Sequence, residues 1–411
     1  MTPIPGISPP RPEEPRARFL LELARALGTY GTSANRLEEV VAVCADDLGL
    51  RAQTFSTPTS VFVSVESEHG LSTYLARVVP GEVNLCKMMQ IDRLFNHVID
   101  NTLSPEDGVK EIKRIVELPS AYPSWMTIAS FLIVSSCVSY FLGGGPKELV
   151  ASGLVGLVVG ILVLFTGRNR EFSRLMEFLS GFMAALLAGV LAAPMGGYMP
   201  AVVAIAGMII LLPGLTFTIA MVELATKHVV SGTARLAGAV MVLLVIGFGF
   251  VIGQHTAELL VGSIETVPST RMGWYIEPIA ILISTICMTI LFQAKMRHAW
   301  VMIIAGFLSF YSARYGSSLL GTEVGTLVAA ISVGTASNFY ARTFDRPALT
   351  LMLPGLLMLV PGSLGLKSLQ LFLDNNTVTG VQSAFTVVIV AVAIVVGLLL
   401  ANVVLPPRKV L

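Results

Sequence analysis

The hydrophobic pattern changes character near residue 118. Before it, apolar residues recur at the spacings of amphipathic helices and strands; beyond it they form long, nearly unbroken runs. Phe19, Leu20, Leu23 and Leu27 recur at three- and four-residue intervals, and Leu37, Val40, Val41 and Cys44 repeat the pattern, which predicts two helices over 16–50. Gly28 and Gly31 separate them, and Ser33 is a candidate cap for the second. Residues 51–80 switch to β-branched alternation, with Val61, Val63 and Val65 on one face and Phe62 and Ser64 on the other. A second strand, 71–79, follows a turn at 67–70, so a hairpin is expected. Helical periodicity returns at 88–101 and again at 106–118, after Ser104-Pro105-Glu106. The order ααββαα predicts a small α+β domain over 16–118.

Ten apolar stretches follow, each long enough or nearly so to cross about 30 Å of hydrocarbon. They lie near 124–142, 148–166, 177–194, 199–226, 234–253, 274–293, 299–313, 321–341, 347–373 and 381–405. The expected fold is therefore an α-helical polytopic membrane protein of ten transmembrane helices.

Composition sharpens this division. The chain is 54% hydrophobic and 13% charged, against about a quarter charged in soluble domains. Residues 1–118 hold 12 of the 27 Lys/Arg and 16 of the 26 Asp/Glu. The remainder is too poor in charge for a water-soluble surface, and a net charge of +1 with no basic stripe excludes a nucleic-acid partner. Residues 1–15 contain six prolines and no apolar core, so they read as a disordered tail, not a signal peptide. The α+β domain is then expected in the cytosol. Cys44, Cys86, Cys137 and Cys287 stand apart, without metal-ligand spacing. No cofactor is indicated. Cys44, Cys86, His69 and His97 are the conceivable catalytic groups of the α+β domain, but no GxSxG, HExxH or phosphate loop accompanies them, and no catalytic residue is assigned.

Charge also predicts orientation. With the N-terminus inside, Arg168, Arg170, Arg174, Lys227, Arg235, Lys295, Arg297, Arg342, Arg346, Arg408 and Lys409 fall on the cytoplasmic side, against Lys147, Arg271, Arg314 and Lys367 outside. Both termini are expected in the cytoplasm.

The membrane part contains an internal repeat. Gly207 to Pro213-Gly214 reappears 148 residues later as Gly355 to Pro361-Gly362, and Ser231-Gly232 matches Thr379-Gly380 at the same offset. Five spans per copy is odd, so the second copy enters the membrane inverted. The expected repeats are 119–258 and 259–411, with the fourth and ninth spans broken at Pro213-Gly214 and Pro361-Gly362. The half-helices after the two breaks would bring two positive dipole ends together. Backbone N–H groups there, with Thr216, Thr218 and Ser363, could bind a carboxylate; the alternative is a pair of structural kinks without a ligand. Asn338 lies on a polar face of the eighth span with Ser332 and Thr335, which suits either a polar path or interhelical hydrogen bonds. Glu223 and Lys367 stand out among the charges because each follows a break; Glu223 is the candidate for proton coupling and Lys367 for the substrate site.

Tyr30-Gly31-Thr32, Arg36-Leu37-Glu38, Thr57-Pro58-Thr59, Arg77-Val-Val-Pro80-Gly81, Asn84-Leu85 and the two Pro-Gly segments together resemble the threonine/serine exporter family, from about residue 16 to 405. The resemblance implies a cytosolic domain followed by ten spans in a prokaryotic cytoplasmic (inner) membrane. It also implies proton-driven export of L-threonine and L-serine. Split relatives in the family look like exporters of dicarboxylates such as succinate, and its soluble domain has been suspected of hydrolysis. The partners expected are thus a small amino acid, protons and the lipid bilayer, and a homo-oligomer is compatible with the sequence. No Walker A sequence is present to support ATP-driven transport.

Overall fold

The computed structural model describes residues 14–67, 70–81, 83–167, 170–262, 266–270, 272–344, 346–359, 365–366, 368 and 377–406. The N-terminal part comprises α1 (Pro15–Thr29), α2 (Ala34–Asp47), β1 (Arg51–Thr57), β2 (Ser60–Ser67), β3 (Gly70–Arg77), α3 (Leu85–Ile99) and α4 (Pro105–Glu117). The expected hairpin is β2–β3, running antiparallel from Ser60↔Arg77 to Ser67↔Gly70. An additional strand, β1, pairs along the other edge of β2, from Arg51↔Glu66 to Thr57↔Ser60. Its inward positions are Ala52, Thr54 and Ser56, which lack the β-branched apolar signal that marks a buried strand. Val61, Val63 and Val65 face Phe19, Leu20, Leu27, Val40 and Val41 in a closed core. Asn84 accepts the Lys87 N–H to cap α3, and Ser104 accepts that of Asp107 to cap α4. Ser33 precedes α2 but makes no capping bond.

Among the described residues the membrane part is built of helices. It contains α5 (Ser124–Phe141), α6 (Pro146–Thr166), a four-residue α7 (Arg170–Ser173), α8 (Met176–Ala192), α9 (Pro200–Gly207), α10 (Gly214–Ala225), α11 (Val229–Val261), α12 (Ile276–Leu291), α13 (Ala299–Leu320), α14 (Thr322–Phe344), α15 (Leu349–Leu359) and α16 (Thr377–Val404). Each apolar stretch read from the sequence overlaps at least one of these helices, and 199–226 holds two, α9 and α10. Among the described residues, α5, α6, α11, α14 and α16 are long and apolar enough to cross a membrane, as is α9–α10 taken as one bent span. Helices α8, α12 and α15 are apolar but shorter. The chain is therefore a polytopic membrane protein. Helix α11 runs 33 residues, about 50 Å, well past the expected 234–253. Its ends hold Arg235 and Gln254, so an apolar window underestimates it.

Tight helix contacts rest on glycine. A Cβ on Gly249 would strike the Phe178 carbonyl of α8, and one on Gly397 would lie 2.5 Å from Ala330 Cβ of α14. Likewise Gly156 of α6 abuts Ser135 of α5, and Gly306 of α13 abuts Thr285 of α12.

The α+β unit sits on one end of the helices, and its core continues into them through Ala294, Met302 and Leu353. The Leu85 N–H donates to Phe292 O (2.9 Å), and Tyr122 Oη donates to Ala294 O (2.5 Å). Gln293 Oε1 accepts from Ser120 Oγ and the Ala121 N–H.

Candidate functional site

The site begins with the turn between α1 and α2. Gly31 adopts φ +84°, a left-handed conformation that favours glycine, and the Thr32 N–H reaches back to Leu27 O (3.2 Å). The Gly81 N–H bonds Thr29 O and the Val78 N–H bonds Thr59 O, each 2.9 Å, so two further segments of the family-like pattern hold this turn in place.

The turn docks on Glu223, which is wholly buried near the end of α10. Its Oε1 accepts the Ala34 N–H at the start of α2 (2.8 Å) and Arg235 Nε from α11 (2.9 Å). Arg235 Nη2 in turn donates to Thr32 O (3.2 Å). The N–H end of α2, which has no side-chain cap of its own, thus takes a carboxylate from the membrane part, the arrangement a helix dipole favours. A second contact lies beside it: His228 Nε2 is 3.3 Å from Glu38 Oε2, while Glu38 Oε1 accepts the Ser56 N–H and hydroxyl. These groups clasp the α+β unit to the helices.

Next to the clasp is a cavity of about 210 Å³, many times the ~10–15 Å³ needed for one water. Thr32, Ser33, Arg36 and Glu39 line it from the α+β unit; Thr218 of α10, Thr226 just after it, Asn338 of α14 and Asn402 of α16 line it from the membrane part. Arg36 Nη1 donates to Glu39 Oε2 (2.8 Å), and Asn338 Nδ2 donates to Asn402 Oδ1 (2.9 Å). The Thr32 hydroxyl and Asn35 Oδ1 are buried without a partner among the described residues, as is Glu223 Oε2. Burial raises the pKa of the Tyr30 phenol at the rim.

The first expected break is at hand. After Gly207 the chain bends at Met208, and the segment Ile209–Ala225, a 3₁₀ turn (Ile209–Leu211) followed by α10, lies at 53° to α9. Pro213 caps α10 and Gly214 opens it, but neither lines the cavity, which starts one residue on at Leu215. Thr218 lines it, with its hydroxyl donating to Gly214 O (3.1 Å), whereas Thr216 is exposed and does not. Pro361, Gly362, Ser363 and Lys367 lie outside the described residues. Of the polar face on α14, Asn338 alone reaches the cavity, and its bond to Asn402 makes it an interhelical tie as well. Glu223 is brought to the clasp instead of an open helix break. Arg36, Glu39, Thr32 and Asn402 were not singled out as site residues; three of them belong to, or adjoin, the Tyr30-Gly31-Thr32 and Arg36-Leu37-Glu38 segments.

Among the described residues, the groups considered for hydrolysis are not assembled. Burial and nearby Asp47 push the Cys44 thiol up to about 12. Cys86 and His97 lie near opposite ends of α3, about 16 Å apart along its axis. His69 lies outside the described residues.

Fold and cavity together define a multi-pass membrane protein with a docked α+β unit. The family described as "Putative threonine/serine exporter" matches residues 18–257, and "Threonine/Serine exporter, ThrE" matches residues 277–404. The chain belongs to the threonine/serine exporter family. Similar relatives include three named pheromone-regulated membrane protein 10. That of Candida albicans is 26% identical over 86% of this chain and 33% of its own length. That of Eremothecium gossypii is 26% identical over 95% and 56%, and that of Saccharomyces cerevisiae 26% over 91% and 49%. The chain thus spans a third to just over half of these relatives. They are yeast membrane proteins, which gives no support to a prokaryotic inner membrane. No solved structure matches the chain.

Proposed function

We propose that this chain is a secondary active exporter of small hydroxy amino acids, L-threonine and L-serine, driven by the proton-motive force. The cavity between the α+β unit and the helices carries this reading. Among the described residues its wall offers one cation, Arg36, and one anion, Glu39, alongside the hydroxyls of Thr32 and Ser33 and the amides of Asn338 and Asn402. A hydroxy amino acid presents the complement: a carboxylate, an ammonium and a hydroxyl. A dicarboxylate would set two anions against a single arginine that already has a glutamate beside it, so succinate fits less well.

A 5+5 inverted repeat is part of this reading. Ser135-x-Cys137-x-Ser139 on α5 and Thr285-x-Cys287-x-Thr289 on α12 stand 150 residues apart, and these two helices pack together. Gly156 and Gly306, also 150 apart, sit against the first residue of each triplet, while Gly249 and Gly397, 148 apart, each seat the fifth span of a copy against its third. Such pairing supports alternating access about a shared axis. The α+β unit and both termini belong on the cytoplasmic side, because the unit docks on the basic connections around Lys227, Arg235, Lys295, Arg297 and Arg346.

Glu223 then couples protons to access. Ionised, it holds the Ala34 N–H and Arg235; protonated, it loses the charge that both favour, and the α+β unit is released from the mouth of the cavity. Pro213, Gly214 and Thr216, expected as substrate ligands, act in this proposal as the hinge of the bent fourth span, and Pro361, Gly362, Ser363 and Lys367 remain proposed substrate ligands along the route. The test is counterflow in proteoliposomes with labelled threonine, serine and succinate, with and without a pH gradient. Exchange of none of them would end the exporter reading, and exchange of succinate alone would transfer it to dicarboxylates.

A further inference from the structure

The seam between the α+β unit and the helices holds a concentration of positive charge that the clasp does not use. Arg93 of α3, Lys295 and Arg297 of the α12–α13 connection, and Arg346 beyond α14 all lie within electrostatic reach of His298. The bonds from Leu85 to Phe292 and from Tyr122 to Ala294 bring these segments together. His298 is 8% exposed and faces Arg297 Nε across 3.1 Å. Burial lowers the pKa of Arg93, with Arg346 and then Arg297 adding to it; Asp92 opposes them without prevailing. Among the described residues, no carboxylate forms an ion pair with Arg93, Lys295, Arg297 or Arg346.

Like charges gathered this way are unfavourable unless an anion joins them. The surface beside them specifies which kind. Trp300 and Phe344 stack edge to face at 5.5 Å, Tyr340 lies 5.2 Å from Phe344, and the outer two rings are 44% and 50% exposed. Exposed aromatic rings at the end of membrane helices mark the headgroup level, and cations just beyond them face the phosphates. A soluble phosphate would use the cations alone and leave the adjoining apolar rings uncovered. We propose that Arg93, Arg297 and Arg346 bind the phosphate of an anionic phospholipid whose acyl chain lies along Trp300 and Phe344. The lipid thereby ties the α+β unit to the membrane helices. The site is separate from the transport cavity and does not depend on the substrate assigned to it.

The test compares the full chain in nanodiscs of phosphatidylcholine alone, of phosphatidylcholine with phosphatidylglycerol, and of phosphatidylcholine with added inorganic phosphate. Thermal unfolding and native mass spectrometry serve as readouts. Phosphatidylglycerol should raise the unfolding temperature and stay bound, while inorganic phosphate should do neither. Replacing Arg93→Gln together with Arg346→Gln should cut the lipid preference about tenfold or more, whereas Lys113→Gln on α4 should leave it unchanged. Arg93→Gln alone, at an exposed position, serves if the double variant does not fold, and Arg93→Lys should restore most of the effect. Equal behaviour in neutral and anionic lipid, equal stabilisation by inorganic phosphate, or an undiminished preference in the Arg93 and Arg346 variants would each overturn the assignment.

Discussion

Glu223→Gln is the sharpest single perturbation of the clasp. The carboxylate oxygen Oε1 accepts two N–H groups, from Ala34 at 2.8 Å and Arg235 at 2.9 Å, in a place with no solvent exposure. A hydrogen bond involving a charged group contributes about 1.5–3 kcal/mol and a neutral one about 0.5–1.5. Glutamine keeps the shape and one acceptor but no charge, so the two bonds together should weaken by about 2 kcal/mol, roughly a 30-fold shift toward the undocked unit. Little of this is lost to screening, since Arg235 is itself only 12% exposed. Hydrogen exchange over residues 30–37 reads the shift directly, because the Ala34 N–H exchanges only when it leaves Glu223. Exchange there should speed up by about 30-fold, with the α3 core segment near Phe95 unchanged. The same variant should lose export driven by a pH gradient while retaining substrate exchange. Protection within twofold of the unaltered protein would refute the clasp, and intact proton-driven export would refute the coupling role.

Other consequences are equally direct. His298 has its pKa lowered by burial and then by Arg297, Arg346, Arg93 and Lys295; its contribution to stability is complete above its unfolded pKa of about 6.5 and is lost as pH falls through the lower folded value. Unfolding temperature should therefore drop on acidification, and less so in His298→Asn. Gly355→Ala would place Cβ 2.6 Å from Val333 Cγ1, and Gly207→Ala would strike Val155; each should cost about 1–3 kcal/mol by overpacking, read as a fall in unfolding temperature, and two unchanged values would contradict the close packing. Single cysteines in the connection 262–273 and at Gly321, between α13 and α14, should react with impermeant thiol reagents on intact cells, while labelling at 168–174 instead would reverse the orientation.

Much of the fold is legible in the sequence wherever one period dominates. The 3.6-residue pattern of Leu20, Leu23 and Leu27 and the alternation of Val61, Val63 and Val65 identify elements whose buried faces are wholly apolar. Strand β1 escapes because its inner face is Ala52, Thr54 and Ser56, held by pairing to β2 more than by burial. The break before α10 is legible from Pro213-Gly214, since proline and glycine act locally. The cavity is not, because its wall joins Thr32 and Arg36 to Asn338 and Asn402, more than 300 residues along the chain in sequence. For the same reason Glu223 reads as an isolated intramembrane carboxylate; its partner at Ala34 becomes visible only when α2 is docked on α10. The Ser-x-Cys-x-Ser triplet and its copy at Thr285 were within reach, and comparing the first and sixth spans at an offset near 148 would have found them.

In the proposed transport cycle the α+β unit and the membrane helices share one binding site for a hydroxy amino acid. Equilibrium binding of labelled L-threonine to purified, monodisperse full-length protein tests it most directly, with substitutions placed on and off the cavity wall. Arg36→Gln and Asn402→Val should each weaken binding by about tenfold, as expected for losing a charge-assisted or buried hydrogen bond. Thr216→Val, on the exposed side of α10, should bind as the unaltered protein does. Unchanged affinity in both cavity variants, or a loss confined to Thr216→Val, would contradict a site shared by the two parts of the chain.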